Sequence, residues 1–515
     1  MPRQGKLRPK GDAIRRIAGA LLLLAAAGSA RAQMLPGLGG VGVGGSWLGA
    51  GQPLQGAGFL TANAGIAYLD NAGLTATNQQ GDEVASTGLG VNYNRTGREL
   101  DITAFGDLDW LQYLNPSTTG EPFGNFLARA SWGKPSDLFQ WNLQDTFGEA
   151  QENPLAAPTV TNEEYFNSVS TGPRLNFNLS TSTSLNIHGL YQNMDYQNSP
   201  FNAQSYDGGA GFTLALSRIS SLSLALDDVR TQYNEEGIAP TYDTRTASLS
   251  YSAKFSRTQF AVSAGYTDVN YTDTWSGAPI FSANVTRQLG PYSTLFVSGQ
   301  TGYTTLGESM TGNLETPAGA SVLAGGVPYG SSPAPFKEQF GSLGWDFNRL
   351  RTSLALAASI GREQYEQTPG VSDDAGSSVT AAFEVDPTME LVPEMARDVR
   401  PLDLVNLDQS TAIDNTFETY SASLTRKLSS SLQASLRAYV TDSRYGNLGA
   451  STLWQSYSFE LTQKFGRTAV SAYAAWIHDS TSGADSGLAA TGYKSTVVGL
   501  TVSYNLLAPK SPTGE

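Results

Sequence analysis

The stretch YSASLTRKLSSSLQASLRAYVTDSRY, Tyr420–Tyr445, contains the pattern that decides the fold. Apolar residues occupy every second position in Tyr420–Leu424 and again in Leu432–Val440, and a polar turn at Ser429–Ser431 separates the two runs. A period of two places the apolar side chains on one face of an extended strand and the polar side chains on the other. The stretch is therefore predicted to form an antiparallel β-hairpin.

The same unit recurs about ten times between residues 59 and 506, and a longer polar loop joins each copy to the next. A strand that crosses a bilayer needs about 9–11 tilted residues. Long strands with short turns at one end and long loops at the other are typical of transmembrane β-barrels. We therefore predict an all-β fold, a single transmembrane antiparallel up-and-down β-barrel of about 20 strands, within a range of 18–22. The predicted strands are 59–70, 84–95, 99–113, 123–133, 138–148, 165–179, 184–196, 204–217, 221–233, 242–255, 258–271, 278–289, 293–304, 336–348, 351–365, 416–428, 432–445, 451–465, 468–480 and 491–506.

Alternation alone would also fit a large soluble β-sandwich or propeller, in which the apolar faces point inward. The predicted strands have roughly 11–15 residues, whereas about 5–6 is usual in soluble proteins. Aromatic residues also gather where the strands meet the long loops, as in the interfacial girdle of a membrane barrel. These residues are Tyr68, Trp110, Tyr113, Tyr191, Tyr196, Tyr233, Tyr271, Tyr365, Tyr445 and Trp476. We expect the short turns to be periplasmic, the long loops to be extracellular and both termini to be periplasmic.

Residues 1–32 are predicted to be a secretory signal peptide. Basic residues precede an apolar stretch at Ile17–Ala27, and Ala30–Ala32 has the A-x-A form of a cleavage site. Residues 33–58 form a glycine-rich segment that is expected to be flexible. This segment is too short for a plug domain, which argues against a TonB-dependent receptor. The barrel is predicted to span residues 59–506, and residues 507–515 form a C-terminal tail.

Net charge and cysteine content narrow the range of functions that the chain could have. The formal net charge is −14 at pH 7, and residues 1–32 carry seven Lys or Arg against one Asp, so the mature chain is more acidic still. A chain of this charge is not expected to bind nucleic acid. The absence of cysteine excludes disulfides, thiol catalysis and thiolate metal sites. No segment after the signal peptide reaches 18 consecutive apolar residues, so no transmembrane helix is expected.

The polar face of the predicted strands consists mostly of Ser, Thr, Asn, Gly and Gln, and is expected to line a water-filled lumen. A barrel of about 20 strands is too wide for side chains to fill. The charged and amide residues predicted to line the lumen are Asp101, Asp107, Arg174, Asn176, Asn178, His188, Lys254, Arg437 and Glu460. We predict no catalytic, cofactor-binding or metal-binding residue.

Two long loops are alternative sites of function. Residues 305–335 are rich in Gly, Pro and Ser, and residues 366–415 contain eleven Asp or Glu. The acidic loop could constrict the mouth, attract cations or bridge to lipopolysaccharide through divalent metal ions. A solvated loop without a specific ligand is the simpler interpretation, because its acids lack the spacing of a calcium loop.

Catalysis is not expected from the titratable residues available. His188 and His478 are the only two histidines. His188 falls on the polar face with Asn186, and His478 precedes Asp479 in a strand, where adjacent side chains point to opposite faces. A lipase-like triad or an omptin-like rim site is therefore not expected. The polar face also offers no pair of carboxylates that would suit a glycosidase.

The final run carries Gly499, Val502 and Tyr504, which approximate the terminal pattern that the barrel-assembly machinery recognises, although a tail follows in place of a terminal Phe. At family level, the chain resembles the bacterial outer-membrane β-barrel porins associated with exopolysaccharide or capsule loci. The resemblance covers roughly residues 59–506 and rests on length, the A-x-A signal peptide, short-turn hairpins and the aromatic-rich repeat. It implies an outer-membrane conduit, with a polysaccharide among its candidate cargoes.

Three functions remain open at this point. The first is an outer-membrane, porin-like channel for an exopolysaccharide or small polar solutes, and the acidic chain favours a neutral glycan or small cations. The second is a non-transporting surface scaffold or adhesin that acts through its long acidic loops. The third is an outer-membrane hydrolase that would use His188 or His478. The expected partners are outer-membrane lipid, lipopolysaccharide, the barrel-assembly machinery and, for the first function, a polysaccharide; no cofactor is expected.

Overall fold

A computed structural model describes residues 59–506, except residues 77, 116–120, 135, 152–162, 198–201, 235–240, 272–273, 305–334, 366–412, 446–449 and 483–491. The predicted signal peptide, glycine-rich segment and C-terminal tail lie outside the described residues, as do nearly all of the two long loops. Among the described residues, no helix has the length and the hydropathy that a membrane span requires.

The described residues form twenty β-strands that close into one antiparallel barrel. The strands are β1 (Phe59–Leu69), β2 (Asp82–Thr96), β3 (Leu100–Tyr113), β4 (Glu121–Trp132), β5 (Phe139–Gln151), β6 (Glu163–Asn178), β7 (Thr183–Tyr196), β8 (Ala203–Ala215), β9 (Ser220–Tyr233), β10 (Tyr242–Lys254), β11 (Thr258–Tyr271), β12 (Thr274–Gly290), β13 (Ser293–Thr304), β14 (Phe336–Arg349), β15 (Thr352–Tyr365), β16 (Ile413–Lys427), β17 (Leu432–Tyr445), β18 (Ala450–Phe465), β19 (Thr468–Ser482) and β20 (Tyr493–Asn505). Each strand pairs with the next along the chain, and β1 also pairs with β20, with Leu69 opposite Val497. Closure leaves no unpaired sheet edge. The predicted architecture and strand number are confirmed, and no strand end differs from its predicted position by more than four residues.

The two ends of the barrel differ in their connections. At the end where β1 begins, which we call the short-turn end, the connections have two to six residues, such as 466–467 and 133–138. Gly466 adopts a left-handed backbone conformation there, with φ of 60°, as a two-residue hairpin turn requires. At the opposite, long-loop end, most connections are longer, although 272–273 and 446–449 are short. The first of these is short because β12 begins at Thr274, before its predicted start at residue 278.

The two faces of the barrel wall differ in their exposed chemistry. One face carries exposed large apolar side chains on neighbouring strands, among them Leu226 on β9 (51 % exposed) and Leu249 on β10 (49 % exposed). We call this face the outer face and the other the inner face. A continuous apolar surface is unfavourable in water, whereas a membrane barrel presents such a surface to lipid. The exposure pattern is therefore that of a membrane-spanning barrel and excludes a water-soluble sandwich.

Aromatic side chains lie on the outer face near both ends of the strands. Tyr68, Trp110 and Tyr191 are exposed near the long-loop end, where a girdle was expected. Tyr113 and Tyr196 are buried instead, because their positions in the alternation place them on the inner face. Aromatic residues near the short-turn end complete a second rim, which the sequence analysis did not predict; they are Trp132, Phe139, Trp141, Phe255 and Phe465.

The barrel is wide. Twenty strands spaced about 4.8 Å apart and tilted by about 40° give a backbone diameter of about 40 Å. Side chains from opposite walls cannot meet across that distance. Residues that act together on the inner face must therefore lie on neighbouring strands, or on loops that fold inward.

Candidate functional site: the inner face of the barrel

Serine and threonine side chains pair across neighbouring strands over much of the inner face. Their hydroxyl oxygens are 2.7–3.2 Å apart in the pairs Thr213–Ser223, Ser221–Ser252, Thr246–Thr267, Ser263–Ser282, Thr425–Ser435 and Thr462–Ser471, and Ser298 also pairs with Ser342. Each hydroxyl offers one donor and two acceptor sites, so a pair keeps capacity for a further partner. The result is a neutral, hydrogen-bonding surface.

Asp101 and Asp107 lie on the inner face of β3, as the alternation predicts, but in different surroundings. Asp101 is near the short-turn end, where Lys134 Nζ lies 2.7 Å from its Oδ1 and the Gly97 amide donates to the same atom at 3.0 Å. Asp101 therefore connects β3 to two neighbouring turns, 97–99 and 133–138. Asp107 is buried beside Asp109, two residues further along β3.

The other predicted lumen residues also lie on the inner face by strand register, and they are spread around it. Asn176 donates to the Asp137 carbonyl at 3.2 Å near the short-turn end. Glu460 is buried and accepts a 2.8 Å hydrogen bond from Thr462. The remaining members are Asn178 at the end of β6, Lys254 at the end of β10, Arg437 on β17, Arg174 on β6 and His188 on β7. Of the nine residues, the register places one pair directly opposite each other, Arg174 and His188.

His188 belongs to a cluster with two aspartates that the sequence analysis did not single out. The register places His188 on β7 opposite Gly209 on β8, and Gly209 opposite Asp227 on β9. Asp207 lies two residues before Gly209 and therefore on the same face of β8. A Cβ atom at Gly209 would lie only 2.7 Å from His188 Nε2 and closer still to Asp227 Oδ1. Because glycine has no side chain, His188 and Asp227 can meet above the backbone of β8.

The geometry of this cluster is compact. His188 Nε2 lies 3.4 Å from Asp207 Oδ2 and 3.4 Å from Asp227 Oδ1. One ligand atom from each of the three residues lies within 4.8 Å of the other two, so the three could hold a metal ion. Asp207 Oδ1 is buried and has no hydrogen-bond partner among the described residues. The sequence assigned no metal ligand and did not single out this cluster, and that assignment stays a prediction.

The position of the two histidines bears on the hydrolase hypothesis. His188 lies well inside β7, and Asp227 lies well inside β9, so their cluster is not at the long-loop rim where an omptin-like site was considered. His478 lies on the outer face, where its ring centroid is 5.5 Å from that of Trp476. Asp479 is buried on the opposite face, as strand alternation requires. His478 and Asp479 therefore do not form a catalytic pair.

One sector of the inner face is apolar. At the long-loop end of β1–β3 and β19–β20, a buried cluster includes Leu69, Val84, Leu111, Ile477 and Val497. Part of the loop after β1 covers this sector: Leu74 is buried in the cluster, and Asn71 Nδ2 donates to the Lys494 carbonyl at 2.9 Å. The expected polar lining is therefore interrupted on this side, and the hydroxyl pairs of β8–β14 line the opposite part of the wall.

No protein-family model and no curated protein sequence matches the chain. Among solved structures, the chain is similar to the FrpB iron transporter from Neisseria meningitidis, with 9 % identity, coverage of 88 % of this chain and 82 % of that chain, and a TM-score of 0.44. It is also similar to the siderophore receptor PirA from Pseudomonas aeruginosa (10 % identity, 88 % and 81 % coverage, TM-score 0.40). The PirA receptor from Acinetobacter baumannii gives 10 % identity, 87 % and 80 % coverage and a TM-score of 0.44. The barrel fold itself rests on the strand pairing described above.

Proposed function

We propose that the protein is a channel of the bacterial outer membrane, through which polar solutes pass along the hydroxyl-lined inner face. The observation that carries this proposal is the contrast between the two faces of one closed wall. The outer face exposes residues such as Leu226 and Leu249, which suit lipid, while the inner face carries paired hydroxyls such as Thr246–Thr267. A width of about 40 Å leaves an interior that side chains cannot fill.

We further propose that the short-turn end faces the periplasm. The exposed turn residues there include Arg218, Arg257, Arg351 and Arg467, which suit the headgroups of anionic phospholipids. Toward the long-loop end, the outer face carries the Asp228–Arg245 ion pair (3.6 Å). This pair lies beyond the exposed apolar side chains, at the level where we place the lipopolysaccharide headgroups. In this orientation β1 begins and β20 ends on the periplasmic side. The barrel-assembly machinery would bind β20, in which Gly499 lies beneath the Tyr473 ring.

The cargo that the inner face suits best is a neutral, hydroxyl-rich solute such as a glycan chain. A net hydrogen bond in water contributes only about 0.5–1.5 kcal/mol, so a wall of many equivalent hydroxyls binds a sugar weakly at each position. A conducted solute must bind well enough to enter and weakly enough to leave. Export of an exopolysaccharide is the specific version of this proposal, and passage of small cations is the variant that the acidic net charge favours.

Single-channel conductance of the refolded mature chain, beginning at Gln33, tests the proposal. The protein is inserted into a planar bilayer, and neutral oligosaccharides are compared with acidic oligosaccharides of equal length. We expect steady openings that neutral oligosaccharides interrupt at lower concentration than acidic ones. A barrel that is folded but silent would contradict the channel and favour the scaffold hypothesis. Openings that no sugar interrupts would contradict the glycan cargo while leaving the channel in place.

A further inference from the structure

We propose that His188, Asp207 and Asp227 form a binding site for a divalent transition-metal cation of the zinc type on the inner wall of the barrel. The site is built by three adjacent strands, β7, β8 and β9. The proposal rests on the geometry of these three side chains and does not depend on whether the barrel conducts solutes.

The donor atoms define the class of cation. One imidazole nitrogen and two carboxylate oxygens are a ligand set that zinc accepts, with a fourth position left for water. Calcium and magnesium prefer sites made of oxygen alone, whereas imidazole suits zinc, copper, iron and nickel. Two carboxylates also balance the charge of a divalent cation. A neutral His188 with Asp207 and Asp227 would therefore form an electrically neutral complex.

The distances favour a shared cation over direct hydrogen bonds. A protonated imidazole that donates to a carboxylate normally lies about 2.7–2.9 Å from it. Nε2 carries a single hydrogen, so it cannot bond fully to two carboxylates at once. With metal–ligand bonds of about 2.0–2.1 Å and tetrahedral angles, two ligand atoms are separated by about 3.3 Å. The observed separations of Nε2 from both aspartates are 3.4 Å.

Two further features of the site support binding. Asp207 Oδ1 is buried without a hydrogen-bond partner in the described part of the chain, so this carboxylate has capacity for a further ligand. Gly209 leaves the space between His188 and Asp227 clear, as a Cβ there would overlap both side chains. The three ligands are held by paired strands and need little rearrangement on binding, which favours affinity.

Isothermal titration of zinc chloride into the refolded mature protein tests the proposal. The protein is purified without a polyhistidine tag and treated with a chelator beforehand. His188→Ala removes the nitrogen ligand, and His478→Ala is the matched control, because it removes the only other histidine, which lies on the outer face. We expect one zinc ion per chain for the native protein and for His478→Ala. Loss of a group that only supports a ligand typically costs about 10–100-fold in metal affinity, so removal of the ligand itself in His188→Ala should lower the affinity by at least about 100-fold.

Asp207→Asn provides a second variant with nearly unchanged side-chain shape, in case His188→Ala does not fold. Folding of every variant is checked by far-ultraviolet circular dichroism and by the gel migration of unheated samples. The proposal is overturned if the native protein binds no zinc in a one-to-one ratio. It is equally overturned if folded His188→Ala and Asp207→Asn bind zinc like the native protein, or if calcium chloride binds the site as tightly as zinc.

Discussion

A methyl group added at Gly209 should weaken zinc binding strongly without removing a ligand. In Gly209→Ala, the new Cβ would lie 2.7 Å from His188 Nε2 and closer still to Asp227 Oδ1, whereas ordinary contact begins at 3.4 Å. Each of the two side chains must therefore move away from the new Cβ by at least about 0.7 Å. Functional metal sites hold their ligand distances within about 0.2 Å. We expect zinc affinity to fall about 100-fold, which corresponds to about 2.7 kcal/mol.

Gly208→Ala is the control for this prediction. Gly208 is the adjacent residue on β8 and points to the opposite face, where an added Cβ meets nothing within 4 Å. Both variants lose one glycine from the same strand, so their backbone effects should match. Titration calorimetry on both proteins measures the difference in zinc affinity. Equal affinity in the two variants, whether both are tight or both are weak, would refute the assignment of the site.

Three further predictions concern charge, packing and transport. Arg174 lies opposite His188 on β6 and adds a positive charge beside the site, so Arg174→Gln should strengthen zinc binding about three- to tenfold; weaker binding in the titration would contradict this. In Gly361→Ala, the new methyl would overlap the buried Phe417 ring, and urea unfolding in detergent should show a loss of about 1–3 kcal/mol. The control Gly341→Ala, which meets only an ordinary contact at 3.8 Å, should change stability by less than half as much. If the channel and the zinc site are both present, micromolar zinc should alter the single-channel conductance of the native protein. The conductance of His188→Ala should not change when zinc is added.

The wall of the barrel could be predicted from the sequence because its signals are local. The alternation in Tyr420–Leu424 and Leu432–Val440, and the polar turn between them, are visible within one short window. These signals locate β16 and β17 to within three residues. The start of β12 was missed because Gly277 resembles a loop residue, although it is paired with Asp268 in the barrel wall.

The zinc site could not be predicted from the sequence because it depends on register across three strands. His188 and Asp227 are far apart in the chain and meet only because Gly209 lies between them in β8. Alternation places each residue on the inner face, but it does not say which residues on different strands are opposite. Gly208 and Gly209 in the middle of a strand were the available signal, since glycine within a strand often marks a close approach of other groups.

The apolar sector was missed for a related reason. Trp110 and Leu111 are adjacent apolar residues on β3, so one must face inward, and Leu111 is buried in the inner cluster. A strict two-residue period assigns only one face as apolar. Where a strand carries apolar residues on both faces, its inner face can be assigned only if the loop residues that pack against it are known.

Thiol modification of two neighbouring positions on β10 tests the central claim, passage along the inner face. The native chain has no cysteine, so Ser248→Cys and Leu249→Cys each introduce a single thiol. Ser248 lies on the inner face, and Leu249 is exposed on the outer face. A membrane-impermeant, charged thiosulfonate reagent is added during single-channel recording. We predict a stepwise fall in conductance for Ser248→Cys and no change for Leu249→Cys. Unchanged conductance in Ser248→Cys, with mass spectrometry showing that its thiol has reacted, would contradict the account.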